Sequence, residues 1–175
     1  MSGAPFWGKY RGTVINNIDP LFEGRLLCSV PDVFAFVPST WAVPCVPLAG
    51  PTGPPMGVHL VPPIGAGVWV EFEHGDPDYP IWVGCRWGST ADIPPLAKAG
   101  LPVSPSIVLQ TAGQNVIVIS DLPGPAGGIM IQSGASIASI NQTGISLVAP
   151  KVEITAATIT LLGITDINGG ALKVT

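Results

Sequence analysis

The 175-residue sequence is poor in charge and contains no long apolar run. Only 10% of its residues are charged, and seven Lys and Arg stand against eleven Asp and Glu. The net charge of -4 argues against nucleic acid as a general partner, because phosphate binding needs clustered positive charge. No stretch reaches the roughly 18 uninterrupted apolar residues that a transmembrane helix needs. The amino-terminal residues lack a charged leader followed by an apolar block, so we expect no signal peptide.

Cysteine is also scarce, with Cys28, Cys45 and Cys85 forming an odd set without a CxxC motif. This usage indicates free buried thiols in a protein made in the reducing cytoplasm, and it fits a disulfide framework poorly. The His and Cys residues lack the spacing of zinc ligands, and no GxSxG motif is present. The GDPD segment at residues 75–78 lacks further calcium ligands and is predicted to be a turn held by its Asp side chains. We therefore predict no catalytic residue, no cofactor and no metal, and no enzymatic activity.

Aromatic residues are absent from the last 88 residues, while all twelve lie between Phe6 and Trp87. Most prolines lie in residues 1–100, and residues 101–175 contain few charged side chains. A core without aromatics must pack by a thinner and more regular scheme. We place a first domain at residues 1–90, a Pro-rich linker at residues 91–105 and a second domain at residues 106–175.

The first half contains hydrophobic runs that are typical of short strands. They are predicted at Tyr10–Asn17, Gly24–Val30, Gly67–Glu73 and Ile81–Trp87. The alternation in Gly67–Glu73 predicts that Val68, Val70 and Phe72 share one face of the strand, with Trp69, Glu71 and Glu73 on the other. Roughly five strands with a Pro-rich excursion between them favour a small closed barrel over a sandwich. Tryptophans are predicted in the core or at a subunit interface: Trp7, Trp41, Trp69 and Trp82.

Short apolar-x-apolar triplets recur in the second half at a nearly constant interval. With Ile137 included, their onsets at residues 129, 137, 145, 152 and 159 are 8, 8, 7 and 7 residues apart. Gly, Ser, Ala, Thr and Asn fill the intervals. Each unit is predicted to be one short strand with a tight corner, which indicates a stacked or wound β architecture.

A single copy of this repetitive segment would bury one face at best and leave an apolar stripe exposed. Each buried Ile or Val contributes only about 1.5 to 3 kcal/mol, whereas ordering the backbone costs roughly 1 to 2 kcal/mol per residue. Self-association, with identical stripes facing a common axis, resolves this shortfall. The arithmetic predicts an oligomer and leaves the number of chains open. The residues predicted to pack at the axis are Ile129, Ile131, Ile145, Leu147, Val152, Ile154, Ile159 and Leu161.

The block at residues 62–89 resembles the OB-fold domain of phage baseplate assembly protein V and of the related VgrG spike proteins. It has a Pro and a Gly before a VWVEFE strand, then a GDPDYP turn and an apolar strand ending in Gly. Residues 10–32, YRGTVINNIDPLFEGRLLCSVPD, are similar to the opening of that domain. Residues 120–140, SDLPGPAGGIMIQSGASIASI, resemble the start of the family's β-helix, and residues 152–175 resemble its tails.

The resemblance implies a homotrimeric central spike of a contractile injection machine. Its fold would be all-β, with an amino-terminal five-stranded OB-fold barrel and a carboxy-terminal intertwined triple-stranded β-helix. The barrel would attach to a baseplate hub protein, and the needle would pierce the target envelope with only transient membrane contact. The particle would be a phage virion or a phage-tail-like injection particle. A PAAR-type tip protein would dock at the blunt end, formed by Leu172, Val174 and Thr175.

Two other functions fit the same residues. The chain could be a trimeric β-helical fibre or adhesin, or an OB-fold module that binds a ligand. An adhesin would carry an enlarged head with aromatic residues at its carboxyl end, and the sequence places no aromatic residue there.

Overall fold

The protein is described by a computed structural model over residues 5–50, 53–99, 104, 106–160 and 162. Within these residues the chain forms two five-stranded sheets with very little helix, which confirms the prediction of an all-β, helix-poor fold. The chain divides into two compact units with the boundary between Ile93 and Pro94. In the described ranges no helix combines the length and the hydropathy that crossing a membrane requires.

The first unit contains a strongly curled sheet with the strand order β2-β1-β4-β5-β3. Neighbouring strands are antiparallel except β3 and β5, which run parallel. A short helix, α1 (Pro31–Phe34), follows β2, and 3-10 turns lie at Glu73–Gly75 and Thr90–Asp92. The strands are β1 (Tyr10–Asn16), β2 (Leu27–Ser29), β3 (Val43–Pro44), β4 (Gly67–Phe72) and β5 (Pro80–Arg86).

The two edges of this sheet meet through the residues that flank β2 and β3. The backbone groups of Leu26 and Ala42 exchange two hydrogen bonds, at 3.0 and 2.8 Å. Closer to the end of β2, the Ser39 amide donates to the Cys28 carbonyl at 2.9 Å, and the Cys28 amide donates to Ser39 Oγ at 3.0 Å. The sheet therefore closes on itself through a segment with only two residues in regular strand.

The core of the first unit lies inside this curl. Val68, Val70 and Phe72 share one face of β4, as the alternation predicts, and this face is buried, while the intervening residues are partly exposed. The indole of Trp82 is buried and donates a hydrogen bond from Nε1 to the Gly24 carbonyl at 3.0 Å. The remaining buried apolar side chains are Val14, Leu26, Cys28, Val30 and Ala42.

The second unit is an antiparallel meander in which each strand pairs with the next along the chain. A short helix, α2 (Pro95–Ala99), precedes it within the predicted linker, and a 3-10 turn lies at Gly124–Ala126. The β9–β10 turn has two residues, and its Thr143 amide donates to Asn141 Oδ1 at 2.9 Å. The strands are β6 (Ser106–Gln110), β7 (Val116–Ser120), β8 (Gly128–Ser133), β9 (Ser136–Asn141) and β10 (Gly144–Val148).

One sequence-based prediction, the burial of all three thiols, is wrong, and another, the short strands after β10, stays a prediction because it concerns associated chains. Residues 149–160 contain no strand in the single chain, although short strands are predicted at 152–154 and from 159. A strand needs a neighbouring backbone to bond with, and β10 is already the last strand of the meander. Of the three thiols predicted to be buried, only Cys28 is buried, while Cys45 and Cys85 are exposed.

Candidate oligomerisation surface

One face of the second sheet consists of two parallel rows of aliphatic side chains. The antiparallel register sets the residues of neighbouring strands directly opposite one another, so that their side chains share a face. The first row runs across all five strands as Ile107, Ile119, Ile129, Ile140 and Ile145. The second row is Leu109, Ile117, Ile131, Ala138 and Leu147. We call these ten residues the apolar face.

The apolar face is open to solvent in the single chain. Its nine large side chains are between 40% exposed, at Ile117, and 76% exposed, at Ile145. An isolated monomer rarely leaves so many contiguous aliphatic side chains in water, because their burial is the main favourable term in folding and association. The face therefore has the composition of a surface that another molecule covers.

The opposite face of the same sheet differs in both chemistry and burial. Val116 and Ser120 of β7 are buried, and Ser120 Oγ accepts a hydrogen bond from the Leu122 amide at 3.3 Å. The rest of this face is mixed: it carries polar side chains such as Gln110 and Gln132, and apolar ones at Val108, Val118, Met130, Ile137 and Val148. Of these apolar side chains only Val148 is exposed, so the largely exposed apolar face is the candidate site.

The structure brings together four of the residues that the sequence predicts at an oligomer axis: Ile129, Ile131, Ile145 and Leu147. Three others, Val152, Ile154 and Ile159, are at least half exposed but lie beyond β10, outside the sheet. The remaining predicted positions lie outside the described residues: Leu161 at the axis, and Leu172, Val174 and Thr175 at the tip.

Sequence reasoning missed six of the ten residues of the apolar face: Ile107, Leu109, Ile117, Ile119, Ala138 and Ile140. In β6 and β7 both faces carry aliphatic residues, so the alternation that marks an exposed stripe is hidden. In β9 the triplet spacing singles out Ile137, which pairs with Gln132 on the opposite face, whereas Ile140 pairs with Ile129. The register between strands, which the spacing of triplets does not contain, decides which residues share a face.

The first unit contains a tightly bonded loop between β1 and β2. Asp19 is buried, and its carboxylate accepts hydrogen bonds from the amides of Leu21, Glu23 and Arg25 at 2.9 to 3.2 Å. The Arg25 guanidinium binds the same carboxylate at 2.6 Å and lies over the ring of Trp41, 5.6 Å from its centroid. The bond from Arg25, together with the three amides, holds the pKa of Asp19 well below its ordinary value. We call Asp19 and Arg25 the clamp.

The remaining titratable groups of the described residues are characterised by their local contacts. Within the described part of the chain no three His, Cys, Asp or Glu side chains come together as a metal site. Asp76 Oδ1 accepts from the Asp78 amide at 3.0 Å, so this Asp side chain bonds the local backbone as predicted. Burial raises the pKa of Cys28 to about 11, which keeps this thiol protonated at neutral pH.

Comparison with known protein families gives a match for each of the two units. Residues 10–87 match the type VI secretion system/phage-baseplate injector OB domain, and residues 106–173 match the phage baseplate V C-terminal trimerisation domain. The chain belongs to the phage baseplate V family. The resemblance stated from the sequence is thereby confirmed, and the curled sheet of the first unit is OB-like. No curated protein matches the chain.

Membership of the phage baseplate V family fixes the general role. The chain is a structural component of a phage baseplate or of an injection particle, and the match to a trimerisation domain supports a homo-oligomer. Both matched families consist of structural baseplate components and not of enzymes.

Proposed function

We propose that the chain is the central spike of a contractile tail or injection-system baseplate and acts as a homotrimer. The single observation that carries this proposal is the apolar face. Its large side chains are about half exposed, and burying the exposed half of an Ile or Leu contributes about 1 kcal/mol. Three copies that turn this face toward a common axis remove all of these side chains from water at once.

The segment after β10 also carries exposed apolar side chains that association of the chains would cover. Val152, Ile154 and Ile159 are exposed and have no strand partner in one chain. In the proposed trimer each chain supplies the neighbouring backbone that the other two lack, so that the three segments wind into an intertwined triple-stranded β-helix. The predicted axis residue Leu161 belongs to the same needle.

The charge distribution supports a piercing role for this needle. Residues 101–175 carry very few charged side chains, so the desolvation cost of passing through lipid is low. A closed, intertwined needle also satisfies its backbone hydrogen bonds internally, which is the condition for entering a bilayer. Rigidity is the function of this domain, and it requires neither an enzymatic step nor a cofactor.

The remaining parts of the proposal concern position in the particle. The domains are residues 1–90, 91–105 and 106–175, as OB domain, linker and spike. The OB domain attaches the trimer to the baseplate hub protein. The blunt end, with Leu172, Val174 and Thr175, seats a PAAR-type tip protein. The chain is made in the cytoplasm and acts within the assembled particle.

Two measurements test this function. Light scattering on the full chain should give the mass of a trimer, and a stable monomer would overturn the spike. Particles assembled with a chain that lacks residues 106–175 should still bind target cells but fail to infect or kill them. Normal killing by such particles would contradict the piercing role, whereas loss of cell binding would favour the fibre or adhesin.

A further inference from the structure

The loop between β1 and β2 presents apolar side chains from a rigid support. Ile18 and Leu21 are mostly exposed, and Phe22 is 89% exposed, so its ring contacts almost nothing in its own chain. The clamp holds this loop through the carboxylate of Asp19, which binds Arg25. The Phe22 amide also donates to the Asp19 carbonyl at 3.1 Å. Phe22 has a φ of 58°, in the left-handed region that a bulky residue avoids unless its surroundings impose it. A rigidly held, exposed phenylalanine is the arrangement of a docking anchor.

A groove lies beside this loop in the same unit. It has a volume of about 520 Å³ and is lined mainly by apolar side chains, including Val46, Leu48, Met56 and Val58. Glu23 and His59 also line it, so the groove begins one residue after Phe22. Its volume is within the range of pockets that hold drug-sized ligands. It therefore has room for a phenyl ring together with a second aliphatic side chain.

We propose that Phe22, with Leu21, inserts into this groove on a neighbouring copy of the chain. Each first unit then offers one anchor and one groove, which is a heterologous contact that closes into a ring when three copies are present. The inference rests on the proposed homotrimer and adds a second interface to it, within the OB-like unit.

The covalent connection to the trimerisation domain is the reason to choose a second copy as the occupant. Only residues 94–105 separate the first unit from β6, so the linker is short. Trimerisation of the second units would hold three first units together at an effective concentration on the order of millimolar. At this effective concentration, a contact that is too weak to form between free chains is formed in the trimer. The ring of Phe22 does not occupy the groove of its own chain, because it is 89% exposed.

Paired cysteines test this contact in the full chain. In a Cys45→Ser/Cys85→Ser background, the variant Phe22→Cys/Met56→Cys should form disulfide-linked dimers and trimers on mild oxidation. The matched control is Phe36→Cys/Met56→Cys, because Phe36 is equally exposed but follows α1, at the other end of β2. A disulfide requires Cα atoms within roughly 7 Å, so we expect at least about tenfold more linked chain than in the control.

The outcomes separate this inference from the proposed function. Linked chains that require both Phe22→Cys and Met56→Cys support the contact. A trimer in which this pair links no more than the control, or links only within one chain, overturns the contact and leaves the spike standing. A monomer by light scattering overturns both.

Discussion

The two sheets of this protein solve the burial of apolar side chains in opposite ways. The first sheet curls until its edges meet and encloses Leu26, Val68 and Val70 completely. The second sheet pairs its strands in chain order and leaves its apolar face in water. The difference follows from side-chain size, because aromatic side chains such as Phe6, Tyr10 and Phe34 pack against the core of the first unit. The second unit has no aromatic residue, and nothing in its described part covers the apolar face. A core can be completed within a chain or between chains.

The largest effect is expected where the second unit depends on other chains. Ile131→Glu should convert the oligomer into monomers, because association would bury an unpaired carboxylate from every copy. Gln132→Glu is the matched control, since Gln132 is the next residue of β8 and points to the opposite face. Light scattering measures the mass of each variant. An Ile131→Glu chain that keeps the wild-type mass would show that the apolar face is not the interface.

The next largest effect is a loss of stability that should be confined to the first unit. Leu26→Ala removes a fully buried side chain and should lower the free energy of unfolding by about 2 to 5 kcal/mol. Tryptophan fluorescence reports this unit alone, because every tryptophan lies before residue 88. The oligomer mass should not change. Ile18→Ala, at an exposed position, should shift the urea midpoint very little, and an equal loss in both variants would contradict a closed core.

The clamp should contribute a smaller, pH-dependent stabilisation. Asp19→Asn removes the charge that binds Arg25 and should lower the urea midpoint of the first unit at pH 7. Because folding lowers the pKa of Asp19, its contribution is complete above the unfolded pKa of about 3.9 and is lost as the pH falls below it. The difference in urea midpoint between wild type and Asp19→Asn should therefore become smaller below about pH 4. A gap that widens on acidification would contradict this sign, and Asp32→Asn, on α1, serves as the control.

The smallest perturbation is thiol labelling, which needs only the native cysteines. Cys45 should react rapidly with an alkylating reagent at pH 8 and Cys85 more slowly, because partial burial raises the pKa of Cys85. Cys28 should react only after unfolding, because it is buried and its pKa is about 11. Repeating the experiment on Ile131→Glu sharpens the comparison of the two sheets. Cys28 should remain protected in that monomer if the first unit completes its core by itself. Rapid labelling of Cys28 there would show that its core depends on the oligomer.

Much of the first unit could be predicted from sequence because local patterns and burial agree there. The runs around β1, β2, β4 and β5 were recognisable, and the alternation in β4 correctly placed Val68, Val70 and Phe72 on one face, which the structure buries. The closing contact of Leu26 with Ala42 was not predictable, since an isolated bridge leaves no periodic pattern. The clamp was missed for a related reason: Arg25 reaches Asp19 only through the folded loop, which no local pattern marks.

The sequence by itself indicated that this protein is all-β and that its second half lacks the side chains for an independent core, and it predicted that copies of the chain associate. Composition and spacing carry that information because they measure how much apolar surface one chain has to bury. Only the tertiary structure decided which residues share the exposed face, since the register of β6 to β10 aligns Ile107, Ile119 and Ile140 with the predicted Ile129 and Ile145. Register arises from pairing between strands, and a shift of one residue would turn every side chain to the other face.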